Sequence, residues 1–321
     1  MGFMDNGVWL KSEPPKRIQG GRYQRPQTQF RETVSSDATA RFQATSGRYH
    51  LYVAHACPWA HRTMILRALK GLEDVISVSF VAPLMLDNGW ELEVNSGPVT
   101  GAQYMHDVYR AADVNYSGRC SVPVLWDCHL GTIVSNESAE IVRMLNSAFD
   151  AHATRAIADL YPVELRDAID EVNELVYHMV NNGVYKCGFS TTQEAYAENF
   201  TNLFDALDSL DTRLANQRYL CGEQITEADW RLFATLVRFD AVYVGHFKCN
   251  LKRIDDYPQL ANYTRELYQW PGIAATFNLQ KTKLHYYGSH ATVNPHGIVP
   301  HGPEFSLMSP HDRERLASKS S

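Results

Sequence analysis

The chain lacks the features that would direct it to a membrane, a nucleic acid or an oxidising compartment. No apolar run among its 321 residues approaches the length of a membrane span. The start, Met1-Gly2-Phe3-Met4-Asp5-Asn6, has no signal-peptide apolar core, and Asn6 stands where a myristoylation pattern wants Ser or Thr. Charge of one sign is not in large excess: a net charge of -6 gives no electrostatic reason to bind nucleic acid or an anionic membrane. The six cysteines, at 57, 120, 128, 187, 221 and 249, form no Cys-x-x-Cys pair and none of the paired spacings of a zinc site. A reducing, cytoplasmic setting is expected, with no nucleic acid or membrane partner and no metal. Thirteen histidines include a loose run, His285, His290, His296 and His301, but it lies in a Gly/Pro-rich stretch without helical register and reads as a solvated tail.

What is present is an ordinary globular composition, 45% hydrophobic and 21% charged, in a chain long enough for two domains. The chain is organised around His55-Ala56-Cys57-Pro58-Trp59-Ala60-His61-Arg62. A β-prone run, Arg48 to Val53, leads in, and a run of helical period through Ile65, Leu66, Ala68 and Leu69 leads out to Gly71. Cys57 is therefore expected at a strand-to-helix turn with Pro58 at the first helical position. There the sulfur meets unpaired backbone N–H groups and the positive end of the helix dipole, which favours thiolate. A buried structural cysteine is the plain alternative.

Residues 1–47 read as a polar arm, broken by Pro14-Pro15, Gly20-Gly21 and Pro26 and anchored by Phe3, Trp9, Tyr23, Phe30 and Phe42. Residues 48–150 hold the strand and helix above, a second strand at Val75–Val81, an insertion at about 82–118 with an amphipathic piece near Tyr104–Ala112, and a hairpin, Val122–Trp126 with Thr132–Val134. A helix starts near Asn136-Glu137-Ser138. That order is the order of the thioredoxin fold, in which Val122-Pro123 stands where a cis proline is kept beside the reactive cysteine; a Pro opening an edge strand is the other reading. After a linker the period turns helical, and 160–285 reads as an all-helical domain. One helix there opens with Thr191-Thr192-Gln193-Glu194, another with Ile225-Thr226-Glu227-Ala228-Asp229, a capping box with a hydrophobic staple. Leu260–Tyr268 reads as the last clear helix, and 286–321 as tail.

A thioredoxin-like domain followed by helices, the central one opening with Ile-Thr-x-x-Asp, resembles the glutathione transferase fold. Cys57-Pro58-Trp59-Ala60-His61-Arg62, Asn88-Gly89-Trp90, Arg119 to Val124, Thr132 to Ser138, Asn181-Asn182-Gly183-Val184-Tyr185-Lys186, Arg238 to Tyr243, and Tyr286 with Asn294-Pro295 and Pro300 resemble the glutathionyl-hydroquinone reductases, the Xi class. The resemblance runs from Trp9 to Pro303, with Cys120 and Ser121 varying the stretch before Val122. It implies Cys57 as nucleophile; Trp90, Arg119, Cys120, Ser121, Val122, Glu137 and Ser138 as holders of glutathione; Tyr185 as proton donor or acceptor; and Tyr243 and Tyr286 as aids to the thiol. It further implies glutathione as co-substrate, aromatic glutathionyl-quinols as substrates and a homodimer. For Glu137-Ser138 the plain alternative is helix capping. Two other functions stay open: an omega-like thioltransferase or dehydroascorbate reductase, and a non-catalytic scaffold of the same fold.

Overall fold

The computed structural model describes residues 2–11, 18–93, 96–304 and 306–317. Pro14-Pro15 and the last four residues of the expected tail lie outside the described residues. Among the described residues the arm contains two hairpins. Strand β1 (Phe3–Asp5) pairs antiparallel with β2 (Val8–Leu10), and β3 (Ile18–Gln19) with β4 (Arg22–Tyr23). Each turn is two residues long, Asn6-Gly7 at φ 46° and 75° and Gly20-Gly21 at φ 55° and 77°. Positive φ at both central positions is what a type I′ hairpin turn requires.

The central sheet has the order β7-β6-β5-β8-β9, built from β5 (Tyr49–Val53), β6 (Ile76–Leu86), β7 (Gly89–Leu92), β8 (Val124–Asp127) and β9 (Thr132–Ser135). Strand β5 is buried at every residue and pairs parallel with β6 and antiparallel with β8. Helix α1 (Pro58–Leu69) links β5 to β6, α2 (Met105–Ala112) lies between β7 and β8, and α3 (Ser138–Ser147) follows β9. The expected strand–helix–strand, hairpin and helix are thus present. One boundary differs: the second strand does not stop at Val81 but continues to Leu86, inside the expected insertion, pairing with β7 after a register shift between Val81 and Met85.

The rest is helical: α4 (Arg166–Leu175), α5 (Gly183–Gly188), α6 (Gln193–Asn216), α7 (Glu227–Arg238), α8 (Val244–His246), α9 (Pro258–Gln269) and α10 (Leu279–Ser289). Two π-helical turns, Val176–Asn181 and Phe239–Tyr243, precede α5 and α8. Helix α10 corrects the expectations that Leu260–Tyr268 is the last clear helix and that the tail begins at 286, since it runs on to Ser289. Its buried residues are Thr282, Lys283, His285, Tyr286 and Tyr287, so no apolar stripe announces it. Among the described residues no helix is long and apolar enough to cross a membrane.

The chain forms two compact units. The first holds the leading hairpin, Pro26–Ala158 and Thr276–Ser289; the second holds the β3–β4 hairpin through Arg25, Asp159–Ala275 and the chain from His290. In the first, α10 packs on β6: the Met85 N–H donates to Ser289 Oγ at 3.0 Å and the Thr282 hydroxyl to the His55 carbonyl at 3.3 Å.

In the second unit α7 is buried at all twelve positions, and the expected capping box forms at its start. Asp229, fully buried, accepts from the N–H groups of Leu220 (2.9 Å) and Thr226 (2.8 Å), the Thr226 hydroxyl (3.2 Å) and the Tyr263 hydroxyl (2.8 Å). Burial pushes this carboxyl up, and the four donors oppose that shift. Asp229→Ala strands buried donors and removes the cap, so we expect a loss of ~3 kcal/mol, on the order of 5–10 °C in Tm. Thermal unfolding of the variant checks it, and an unchanged Tm would show that the cap does not hold this unit.

Candidate active site

Strand β5 ends in a bend in which the Cys57 N–H donates to the Ala54 carbonyl at 3.2 Å. Cys57 is the N-cap of α1, in extended conformation, with Pro58 first in the helix. Its Sγ accepts from the Ala60 N–H at 3.5 Å and lies 3.4 Å from the Val122 carbonyl, to which the thiol proton is donated. The sulfur is half-buried, and the first turn of α1 carries no acidic residue to oppose the helix dipole. The Val122-Pro123 bond is cis, as the thioredoxin-like reading anticipates. The thiol form is served by the Val122 carbonyl and the thiolate by the Ala60 N–H, so both protonation states have a partner.

Val122 is held in place from behind. The Tyr109 hydroxyl donates to the Ser121 carbonyl at 2.8 Å and accepts from Asn136 Nδ2 at 3.0 Å. Asn136 is in turn pinned to the arm, exchanging bonds with the Phe30 backbone: its N–H donates to the Phe30 carbonyl and its Oδ1 accepts the Phe30 N–H. Burial pushes the Tyr109 phenol well up, so it stays a neutral donor. Next to Ser121 and Val122, Cys120 is buried, and Arg119 is half-buried with its carbonyl accepting from the Tyr116 hydroxyl at 2.9 Å.

Glu137 is the N-cap of α3: Oε1 accepts from the Ala139 N–H at 3.1 Å and Oε2 from the Thr28 hydroxyl at 3.1 Å. The capping role weighed for it is therefore present. Ser138, first in the helix and buried, accepts from Arg62 at 3.5 Å, and Arg62 lies 4.5 Å from the Trp59 ring centroid. Trp90, on β7, stacks on His285 at 4.6 Å and 20°. His285 Nδ1 meets the Pro83 carbonyl at 3.0 Å, and the neighbouring Tyr286 is buried on α10.

The expected phenols fall in both units, Tyr286 in the first and Tyr185 and Tyr243 in the second. Tyr185 lies inside the short helix α5, which follows the π-helical turn Val176–Asn181. Its ring centroid is 6.2 Å from that of Tyr243 and 5.4 Å from that of Phe247, and Phe189 extends the cluster at 5.1 Å from Phe247. Arg25 faces the Tyr185 ring at 5.0 Å. Sequence reasoning gave no role to Arg62, Thr28, Tyr109, Asn136, His285 or Arg25. Arg62 sits in the reactive motif itself and was the one within reach; the others meet their partners only through the fold. Among the described residues no group of three or more His, Cys, Asp or Glu side chains is placed to hold a metal ion.

Comparison with known proteins matches residues 56–148 to the glutathione S-transferase N-terminal domain and 193–266 to the glutathione S-transferase C-terminal domain. The glutathionyl-hydroquinone reductase YqjG of Escherichia coli is 50% identical over 98% of this chain and 99% of its own length. The glutathione-bound structure of that protein superposes with a TM-score of 0.88 at 48% identity, covering 98% of this chain and 99% of that one. A Xi-class glutathione transferase from Natrialba magadii reaches a TM-score of 0.92 at 44% identity, covering 99% of this chain and 98% of that one.

The cysteines differ in a way that labelling can read. Burial pushes the thiols of Cys120, Cys128 and Cys249 up, and that of Cys221 up to about 11, so these stay protonated in mildly acidic solution. Cys57 is instead the N-cap of α1, where its sulfur meets the Ala60 N–H. Brief alkylation at about pH 6 followed by peptide mapping is expected to modify Cys57 ahead of the exposed Cys128. Equal labelling of the two would remove the argument from the helix start.

Proposed function

This chain belongs to the glutathione transferase family, in the Xi class of glutathionyl-hydroquinone reductases, and we propose that it reduces glutathionyl-hydroquinones at Cys57 with glutathione as co-substrate. The observation that carries the reading is the half-buried Cys57 sulfur at the start of α1, between the Ala60 N–H and the Val122 carbonyl. In the first step the Cys57 thiolate attacks the sulfur of the thioether, a Cys57–glutathione disulfide forms, and the carbon–sulfur bond breaks with its electron pair going to the ring carbon. That carbon takes a proton. A second glutathione, as thiolate, then attacks the mixed disulfide, releasing glutathione disulfide and the Cys57 thiolate. The net change is thioether plus glutathione to hydroquinone plus glutathione disulfide, with the proton of the glutathione thiol ending on carbon.

The reading assigns glutathione to Trp90, Arg119, Cys120, Ser121, Val122, Glu137 and Ser138. The Val122 backbone beside Pro123 suits a short β-pairing with the cysteinyl residue of the tripeptide. The start of α3 suits the γ-glutamyl carboxylate, and the Glu137 carboxylate suits its ammonium. Tyr185 is assigned the proton for the departing carbon, with Tyr243 and Tyr286 supporting the thiolate; a phenol gives a proton or a hydrogen bond without bringing a charge into an aromatic site. We place the protein in the cytoplasm, whose reducing poise a glutathione-consuming thiol needs, and take it as a homodimer, which light scattering of the purified protein would check.

Turnover of a glutathionyl-hydroquinone, with hydroquinone and glutathione disulfide followed together, tests the whole reading. Equal release of both is expected. Cys57→Ala is expected to abolish it and Cys57→Ser to leave a trace, since a hydroxyl forms no mixed disulfide. Activity retained in Cys57→Ala would exclude the mechanism, and turnover confined to glutathionylated peptides or dehydroascorbate would favour the omega-like function. Tyr185→Phe is expected to lower kcat and kcat/KM together by about 100-fold. A raised KM with kcat intact would instead make Tyr185 a binding group.

A further inference from the structure

The β3–β4 hairpin is fastened to the second unit at several points. The Thr191 N–H donates to the Gly21 carbonyl at 3.0 Å, and Gly21 approaches Thr192 so closely that an added Cβ would stand 2.5 Å from its methyl group. Arg22 pairs with Glu198 on α6, and Tyr23 is buried with its ring 5.4 Å from Phe189. Two residues on, the Arg25 guanidinium carbon lies 6.0 Å from the Tyr23 ring centroid and 5.0 Å from that of Tyr185. Its Nε donates to Asn182 Oδ1 at 2.6 Å. Asn182 is buried and is the N-cap residue of α5, the helix that carries Tyr185. Arg25 therefore holds both the start of that helix and the face of the ring.

We propose that Arg25 is a positioning residue for Tyr185, fixing the phenol in place and stabilising the negative charge it acquires on giving up its proton. The inference rests on the reading that makes Tyr185 the donor. A guanidinium against the face of an aromatic ring is attracted to its electron density, and the attraction grows as the ring becomes anionic. Because Arg25 is half-buried and already bonded to Asn182, the charge is oriented before the reaction begins. Lysine keeps the charge but lacks the planar fork that reaches Asn182 and the ring together.

The experiment measures steady-state turnover of a glutathionyl-hydroquinone with glutathione by the full chain, as Arg25→Gln and Arg25→Lys, each in the native and the Tyr185→Phe background, with Tm recorded for all. Arg25→Gln is expected to lower kcat about 10-fold with KM held within about twofold, and Arg25→Lys to recover to within about threefold of the native value. In the Tyr185→Phe background Arg25→Gln is expected to add nothing, the signature of two residues acting through one group. The same loss in both backgrounds would overturn the proposal, because Arg25 would then act independently of the phenol. A raised KM with kcat intact would overturn it too, since Arg25 would be holding substrate. Should Arg25→Gln fail to fold, Arg25→Met, which also removes the charge, carries the same comparison. If Tyr185→Phe alone leaves kcat unchanged, the donor assignment falls and this inference with it; if Tyr185→Phe lowers kcat but neither Arg25 variant does, only this inference falls.

Discussion

One sulfur is shared by two backbone groups of opposite character, and the first unit is arranged to keep them in place. The Ala60 N–H reaches Cys57 from within α1 at 3.5 Å and the Val122 carbonyl reaches it from across the chain at 3.4 Å. The first contact is local: an N-cap conformation and a proline at the first helical position produce it. The second needs tertiary support. A relay runs from the Phe30 backbone through Asn136 and the Tyr109 hydroxyl to the Ser121 carbonyl, one residue from Val122. The polar arm, which has no periodic pattern of its own, thereby helps set the partner of the Cys57 sulfur. A network of this kind is strong only when every member is satisfied, so weakening its exposed end is felt at its buried end.

The parts of this architecture legible in the sequence are those whose burial is apolar and whose signals are local. Strand β5, helix α1 and the capped helices α6 and α7 announce themselves by period and by cap residues. Helix α10 does not, because it buries Thr282, Lys283, His285 and Tyr286, and polar atoms among them are satisfied by distant groups such as the carbonyls of His55 and Pro83. The same holds in the site. Cys57 and its turn could be read from eight consecutive residues, whereas Ser138 meets Arg62 across 76 positions and Arg25 meets Asn182 across 157. The Asn6-Gly7 turn is a different case: Asn-Gly is itself a local type I′ signal, legible inside a segment that otherwise reads as a polar arm.

The second unit gathers aromatic rings, with Tyr185, Phe189, Tyr243 and Phe247 in one cluster. Two π-helical turns lie in it, and each wider turn shifts the downstream residues relative to a regular helix. The first is anchored by Asn181, whose side chain donates to the Arg231 carbonyl at 3.1 Å and to Thr235 Oγ1 at 2.8 Å on α7. The second ends at Tyr243, which is fully buried. Near them His246 meets His290 at 3.0 Å, and burial lowers the His246 pKa to about 4, so that imidazole is neutral near pH 7. The β3–β4 hairpin brings the Arg25 cation to face Tyr185 in this cluster.

Ala60 ties the geometry of the first unit to the chemistry proposed for it. Its N–H is the donor that meets the Cys57 sulfur, and its side chain is fully buried. A thiol at that position would stand three residues along the same helix start and could resolve a disulfide at Cys57 within the chain. With alanine there, the other cysteines of the first unit are Cys120 and Cys128, and burial raises the pKa of both, which keeps them in the thiol form that does not attack disulfides. In the proposed chemistry, resolution of the mixed disulfide at Cys57 falls to a second glutathione arriving from solution. That proposed course fits the half-buried state of Cys57, which is not fully enclosed and so leaves the sulfur open to a thioether and then to a second glutathione.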